Sequence, residues 1–217
     1  MIELSPDLFG ITIDIRFPTL RPFAKERLDR LLSRLIDPEH GLALRNEQLR
    51  VRPTDVGFDY DLKAFFLGGN AVLVYDAEKF FLSVSGGRTQ ADANLLREMA
   101  KRFLWTGEIS DQDAGIFSAG THAKAESIEK RDEFLKRFRP SDEVTGPGAL
   151  GFVRIPSWSE EIRFSLEPSL SLAGGLYLAW TMRFQGGSWL SSLEELTNAL
   201  ESAASIFGVK FKPIAAS

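Results

Sequence analysis

Three residues within one short stretch are of the types that nucleophilic catalysis needs: a carboxylate at Asp113, a hydroxyl at Ser118 and an imidazole at His122. The run Gly115-Ile116-Phe117-Ser118-Ala119-Gly120 is one residue longer than the G-x-S-x-G turn that exposes a nucleophilic serine between a strand and a helix. Triad members meet through the fold, so nearness in sequence does not show that these three act together. A hydrolase using Ser118 and His122 is one reading. The composition favours a blander one, in which Ser118 sits in an acidic, glycine-rich loop and Thr121 or His122 opens a helix.

Other spacings suggest chemistry and then fail on context. Gly146-Pro147-Gly148-Ala149-Leu150-Gly151 matches G-x-G-x-x-G, which holds a pyrophosphate only between a preceding strand and a following helix. Here a charged helix precedes it and a strand follows, so no nucleotide is expected. Asp111-Gln112-Asp113-Ala114-Gly115 opens like a calcium loop, but His122 stands where the bidentate Glu belongs. Asp59 and Asp61 share a strand face with Lys63, the pattern of a solvated surface more than of an acid/base pair. With no cysteine and two histidines, the chain offers no thiolate, iron–sulfur or His-rich metal site, and neither metal nor cofactor is expected.

Charge supplies the candidate docking residues. The window 16–52 holds nine Lys/Arg against five Asp/Glu, with Arg21, Lys25, Arg30 and Arg34 on or beside its helix. Residues 121–143 hold six of each sign, Lys130 and Arg137 among them, the interleaving of an exposed helix laced with i,i+4 pairs. A helix over roughly 123–139 with a thin stripe of Ile128, Leu135 and Phe138 should be among the least protected parts of the fold. These six basic residues are the expected contacts for a partner.

The elements that must position such residues are legible from period. Residues 9–17 alternate as a strand, and Phe23 to Ile36 carry helical spacing. Strands follow near 49–53, 56–66, 71–75 and 79–85, then a helix over 89–104 opened by Thr89 with Asp92 as a capping box. Later strands fall at 150–155, 158–166 and 176–185, before a helix over 188–206 and a closing strand at 209–212. The layout predicts an α+β protein with a mainly antiparallel curved sheet and helices on one face. Residues 1–105 form a β-α-β4-α unit, 106–148 a charged connector with a helix, and 149–217 a β3-α-β unit sharing one sheet or core with the first. Gly68-Gly69 and Gly86-Gly87 are echoed by Gly174-Gly175 and Gly186-Gly187, a faint sign of a partial repeat weighed against the commonness of strand–glycine–helix grammar. Ile13, Ile15, Leu31, Leu35, Phe58, Leu82, Leu96, Phe103, Phe164, Leu193 and Leu196 are the expected core.

At 217 residues the chain can bury a core without a staple, and its net charge of −4 argues against nucleic acid and anionic membranes as partners. No apolar run approaches the ~20 residues of a membrane span and the start lacks a signal-peptide pattern, so a cytoplasmic protein is expected. The expectation is non-enzymatic binding, foremost of another protein, as an adaptor, inhibitor or immunity-type factor. The alternative is a cup for an apolar small molecule between sheet and helices, suggested by seventeen phenylalanines. A dry cavity lined by Phe would favour the cup.

Overall fold

The alternation that marks residues 9–17 is the visible part of a longer strand. In the computed structural model, β1 spans Ile2–Arg16 with bulges between Pro6 and Leu8 and between Phe9 and Ile11. Ile2 and Leu4 point into the core before the bulges, Ile13 and Ile15 after them. The extra β1 residue between Pro6 and Leu8 switches the phase, while the irregularity opposite Phe9 to Ile11 adds its residue to β5, so a single period-2 pattern cannot run through the whole strand. The structure describes residues 1–21, 25–53, 60–106, 112–139, 141, 147–154, 161–185 and 189–214, with the side chains of residue 185 and residues 189–197 excepted.

After β1 come α1 (Lys25–Ile36), β2 (Leu49–Pro53), β3 (Tyr60–Phe66), β4 (Ala71–Tyr75), β5 (Lys79–Gly87) and α2 (Gln90–Thr106). The chain continues through β6 (Ala114–Ala125), α3 (Ile128–Lys136), β7 (Ala149–Val153), β8 (Ile162–Pro168), β9 (Gly175–Gln185), α4 (Trp189–Ile206) and β10 (Val209–Phe211). All the strands join one open sheet in the order β2-β3-β4-β5-β1-β6-β9-β8-β7, antiparallel at every step, and β10 runs parallel to the start of β1. The fold is α+β, as the layout predicts. The two halves have similar but unequal orders, β-α-β4-α in the first and β-α-β3-α with β10 in the second: β1 and β6 meet in the middle, and α2 follows β5 as α4 follows β9.

The sheet presents its apolar side to the helices. Leu62, Leu73, Phe80, Leu82, Phe164, Leu178 and Trp180 are buried on that side, with Leu31 and Leu35 of α1 and Leu96 and Phe103 of α2. Of the expected core, Phe58, Leu193 and Leu196 lie outside the described residues; the others are buried. Six of the seventeen phenylalanines gather in two aromatic clusters. Phe17, Tyr75, Phe80 and Phe103 form one, with Phe80 and Phe103 stacked at 3.9 Å. Phe164, Trp180, Phe207 and Phe211 form the other.

The connector over 106–148 is corrected by the structure. Residues 114–125 are not a loop entering a helix but the central strand β6, paired with β1 from Leu4↔Ala125 to Arg16↔Ala114. Phe117, Thr121 and Ala123 are buried, while Lys124 is exposed and Ser118 and His122 are half-buried on the other face. The helix is correspondingly shorter: α3 begins after Ser127, whose hydroxyl accepts from the Lys130 N–H. Its anchors are Phe134 and Leu135, whereas Ile128 is 53% exposed.

Candidate functional site

A cavity of about 400 Å³ opens between α2, α4 and the central strands β1, β6 and β9. Pro6, Phe9, Gly10 and Ile11 come from β1, and Phe117, Ala119, Gly120 and Thr121 from β6. Trp180 comes from β9, Ala93, Leu96 and Ala100 from α2, Leu200 from α4, and Phe211 to Ile214 close one end. Hollowness follows from residue size: alanines on α2 face Ala119 on the floor, and the bulge in β1 between Pro6 and Leu8, with the one in β5 opposite Phe9 to Ile11, bends the floor locally. A volume of this order lies within the range of small-molecule sites, roughly 300–1,000 Å³.

The polar groups inside the wall already have partners. Thr121 Oγ1 donates to the Leu8 carbonyl at 3.2 Å, and Trp180 Nε1 donates to the Leu200 carbonyl at 3.0 Å. The interior therefore asks for no hydrogen bond and suits an apolar occupant. Gln90, Arg97, Glu201 and Lys212, all exposed, add polar groups to the lining.

The three residues singled out for catalysis are not brought together. Ser118 and His122 share one face of β6 at a spacing of four, about 13 Å along a strand. Ser118 Oγ donates to Thr181 Oγ1 at 3.4 Å, and His122 Nδ1 meets Ser169 Oγ at 2.8 Å. Ser169 Oγ also accepts the N–H groups of Ser171 and Leu172, so its own proton goes to His122 Nδ1. That hydroxyl holds the β8–β9 turn. Asp113 is fully buried and paired with Arg21, whose guanidinium lies 4.3 Å over the Phe17 ring.

The basic candidates are scattered. Lys25 and Arg30 are exposed on α1, and Arg34 lies 5.3 Å over Trp105. Lys130 pairs with Glu126, holding that carboxyl below its ordinary range through the hydrogen bond and the charge. Arg137 packs over Phe134 and Phe138. Because β1 and β6 run antiparallel, α1 and α3 leave the sheet at opposite ends, and these residues form no single patch.

The remaining motifs take structural places. Gly151 lies inside the strand β7, where an added Cβ would meet the Phe207 ring at 2.7 Å. Gly146, Asp111 and Asp59 lie outside the described residues. Among the described residues no group of three His, Asp or Glu is placed to hold a metal ion, and no helix is long and apolar enough to cross a membrane. A second cleft of about 540 Å³, beside α3 and the start of β1, is lined by Glu3, Glu126, Lys130, Glu133 and Arg137, several already in ion pairs. Sequence reasoning missed Ala93, Ala119, Gly120 and Trp180 as cavity residues. For Ala119 the signal that could have found it is the inward alternation of residues 115, 117, 119, 121 and 123, small apart from Phe117. Compared with known protein families and with curated proteins, the chain matches none.

Proposed function

We propose that this protein is a non-enzymatic binding protein whose cavity between α2, α4 and the central strands takes an apolar small molecule. The observation that carries this reading is an apolar hollow of about 400 Å³ whose inner polar groups are already hydrogen-bonded. A chain that merely needed a core would fill such a space, since interiors are normally close-packed.

The test is ligand titration of the native protein and of Ala93→Trp. Ala93 lines the cavity from α2, and an indole there occupies the hollow without adding a buried polar group that lacks a partner. Trp180 reports from the opposite wall. An environment-sensitive apolar dye and a set of medium-chain fatty acids should quench or shift its emission, saturably at micromolar concentration. Ala93→Trp should abolish the saturable uptake, read from the dye's own emission, while melting at the same temperature or higher. Uptake that persists in Ala93→Trp, or no uptake at all by the native protein, would sink the reading.

A further inference from the structure

We propose that the face of the sheet left uncovered by helices binds single-stranded nucleic acid. This inference is independent of the cavity, which lies on the other side of the same strands.

Direct register partners share a face, so the pairings define what that surface carries. One row runs from Phe65 on β3 through Val72, Ser83, Thr12, Ser118 and Thr181 to Arg163 and Phe152 on β7. Its ends are exposed aromatics, Phe65 at 52% and Phe152 at 69%. Its middle is a ladder of hydroxyls, with Thr12 to Ser83 at 3.3 Å and Ser118 to Thr181 at 3.4 Å. Beside the ladder lie Gly10, Gly120 and Ala179, with the Tyr177 ring laid over Gly120 and 4.7 Å from the His122 ring. Seven strand spacings separate the two rings, about 34 Å at roughly 4.8 Å each.

Charge is segregated onto this face. Asp14 and Arg16 pair with each other at 3.1 Å, and Lys124 with Asp7 at 3.8 Å. Outside those pairs the strands present Arg50, Arg52, Lys63, Lys79, Arg163 and Arg183 against Asp61 and Glu167. No ion pair joins those six cations to a carboxylate among the described residues. The net charge of −4 is thus an average over two unlike surfaces, and the whole-chain value does not describe this one.

The occupant follows from the combination. Unpaired Arg and Lys suit a chain of phosphates, and exposed rings on a sheet suit bases that are free to stack. A duplex would be read by a helix or ribbon entering a groove, and the strand rows themselves supply neither. An acidic protein would want an apolar centre with charges at the rim, whereas here hydroxyls and glycines run through the centre, with Ile116 and Tyr177 beside them.

The experiment is fluorescence anisotropy of the full chain with labelled oligo(dT) and oligo(rU) of about 20 nucleotides, longer than the roughly 4–16 that such sites cover. Matched duplex and polyglutamate serve as competitors. Binding is expected for the single strands, weakening roughly 50-fold between about 50 and 200 mM salt if four phosphates are neutralised at about −0.7 each. Arg163→Glu with Arg183→Glu should abolish it, and Phe65→Ala or Phe152→Ala should weaken it about tenfold each. All four positions are exposed, so an unchanged melting temperature will show that the variants fold. Absence of binding, indifference to these substitutions, preference for duplex, or equal displacement by polyglutamate would each overturn the proposal.

Discussion

Asp113 shows how a residue with catalytic chemistry becomes a structural one. Its carboxylate is fully buried at the entrance to β6, and its partner Arg21 sits where the chain leaves β1 for α1. The Arg21 N–H also donates to the Ala77 carbonyl in the β4–β5 turn, so three segments converge there. Removing one member of a buried pair leaves the other uncompensated, which typically costs about 3–5 kcal/mol. Asp113→Ala should therefore lower unfolding free energy by about that amount in urea titration. A loss below about 1 kcal/mol would mean that water compensates Arg21. Gly120 makes the same point by absence. The Tyr177 hydroxyl lies 2.7 Å from where a Cβ would stand, and the ring packs 4.7 Å from His122. Gly120→Val should displace Tyr177 and disturb the His122–Ser169 contact, visible as shifted His122 ring resonances in NMR.

At the scale of elements, α2 has the clearest start. Thr89 and Asp92 form a reciprocal capping box: the Asp92 N–H donates to Thr89 Oγ1, and the Thr89 N–H donates to Asp92 Oδ2. The Arg88 and Thr89 N–H groups and the Thr89 hydroxyl hold the Asp92 carboxyl below its ordinary value. A lowered folded-state pKa stabilises above the ordinary carboxylate range, and that contribution is lost as pH falls through the lowered value. Asp92→Asn should therefore flatten the acid limb of the stability curve below about pH 4, while Thr89→Ala should cost about 1 kcal/mol at neutral pH. For α3, hydrogen exchange should be faster than over Leu95–Leu104, because Phe134 and Leu135 are its buried anchors and Ile128 is exposed. Equal protection would make α3 a full wall of the core. Strands and helices with bulky alternating residues were legible in the sequence, as β5, β9 and α2 show. The strand β6 was not, because Ser118, Ala119 and Gly120 are small for reasons that lie elsewhere. Ala119 helps to leave the cavity open, and Gly120 makes room for Tyr177. The cavity itself was legible only as an alternative, since a hollow depends on what several elements fail to fill.

For the whole molecule, the β1–β6 seam decides how the halves behave. The pairing runs from Leu4↔Ala125 to Arg16↔Ala114, and α2 and α4 also touch across it. The two halves should melt as one cooperative unit, with equal calorimetric and van't Hoff enthalpies. Two resolved transitions would show that each half is stable alone. The segregation of charge onto one face belongs to this scale too. No stretch of sequence displays it, because it depends on the register of many strands at once.

The position of β1 has a consequence for how the chain is made. It precedes every strand it pairs with, and its two long edges wait for Lys79–Gly87 and Ala114–Ala125. A nascent chain that has reached α2 can close β2 to β5 against one edge, while the other stays open with its amides unpaired. Until β6 emerges, that edge and the isoleucines beside it are exposed to any neighbouring extended chain, the situation in which intermolecular pairing and chaperone capture compete with folding. Codons that slow synthesis between α2 and β6 should therefore lower the yield of native protein, and codons that hasten it should raise the yield.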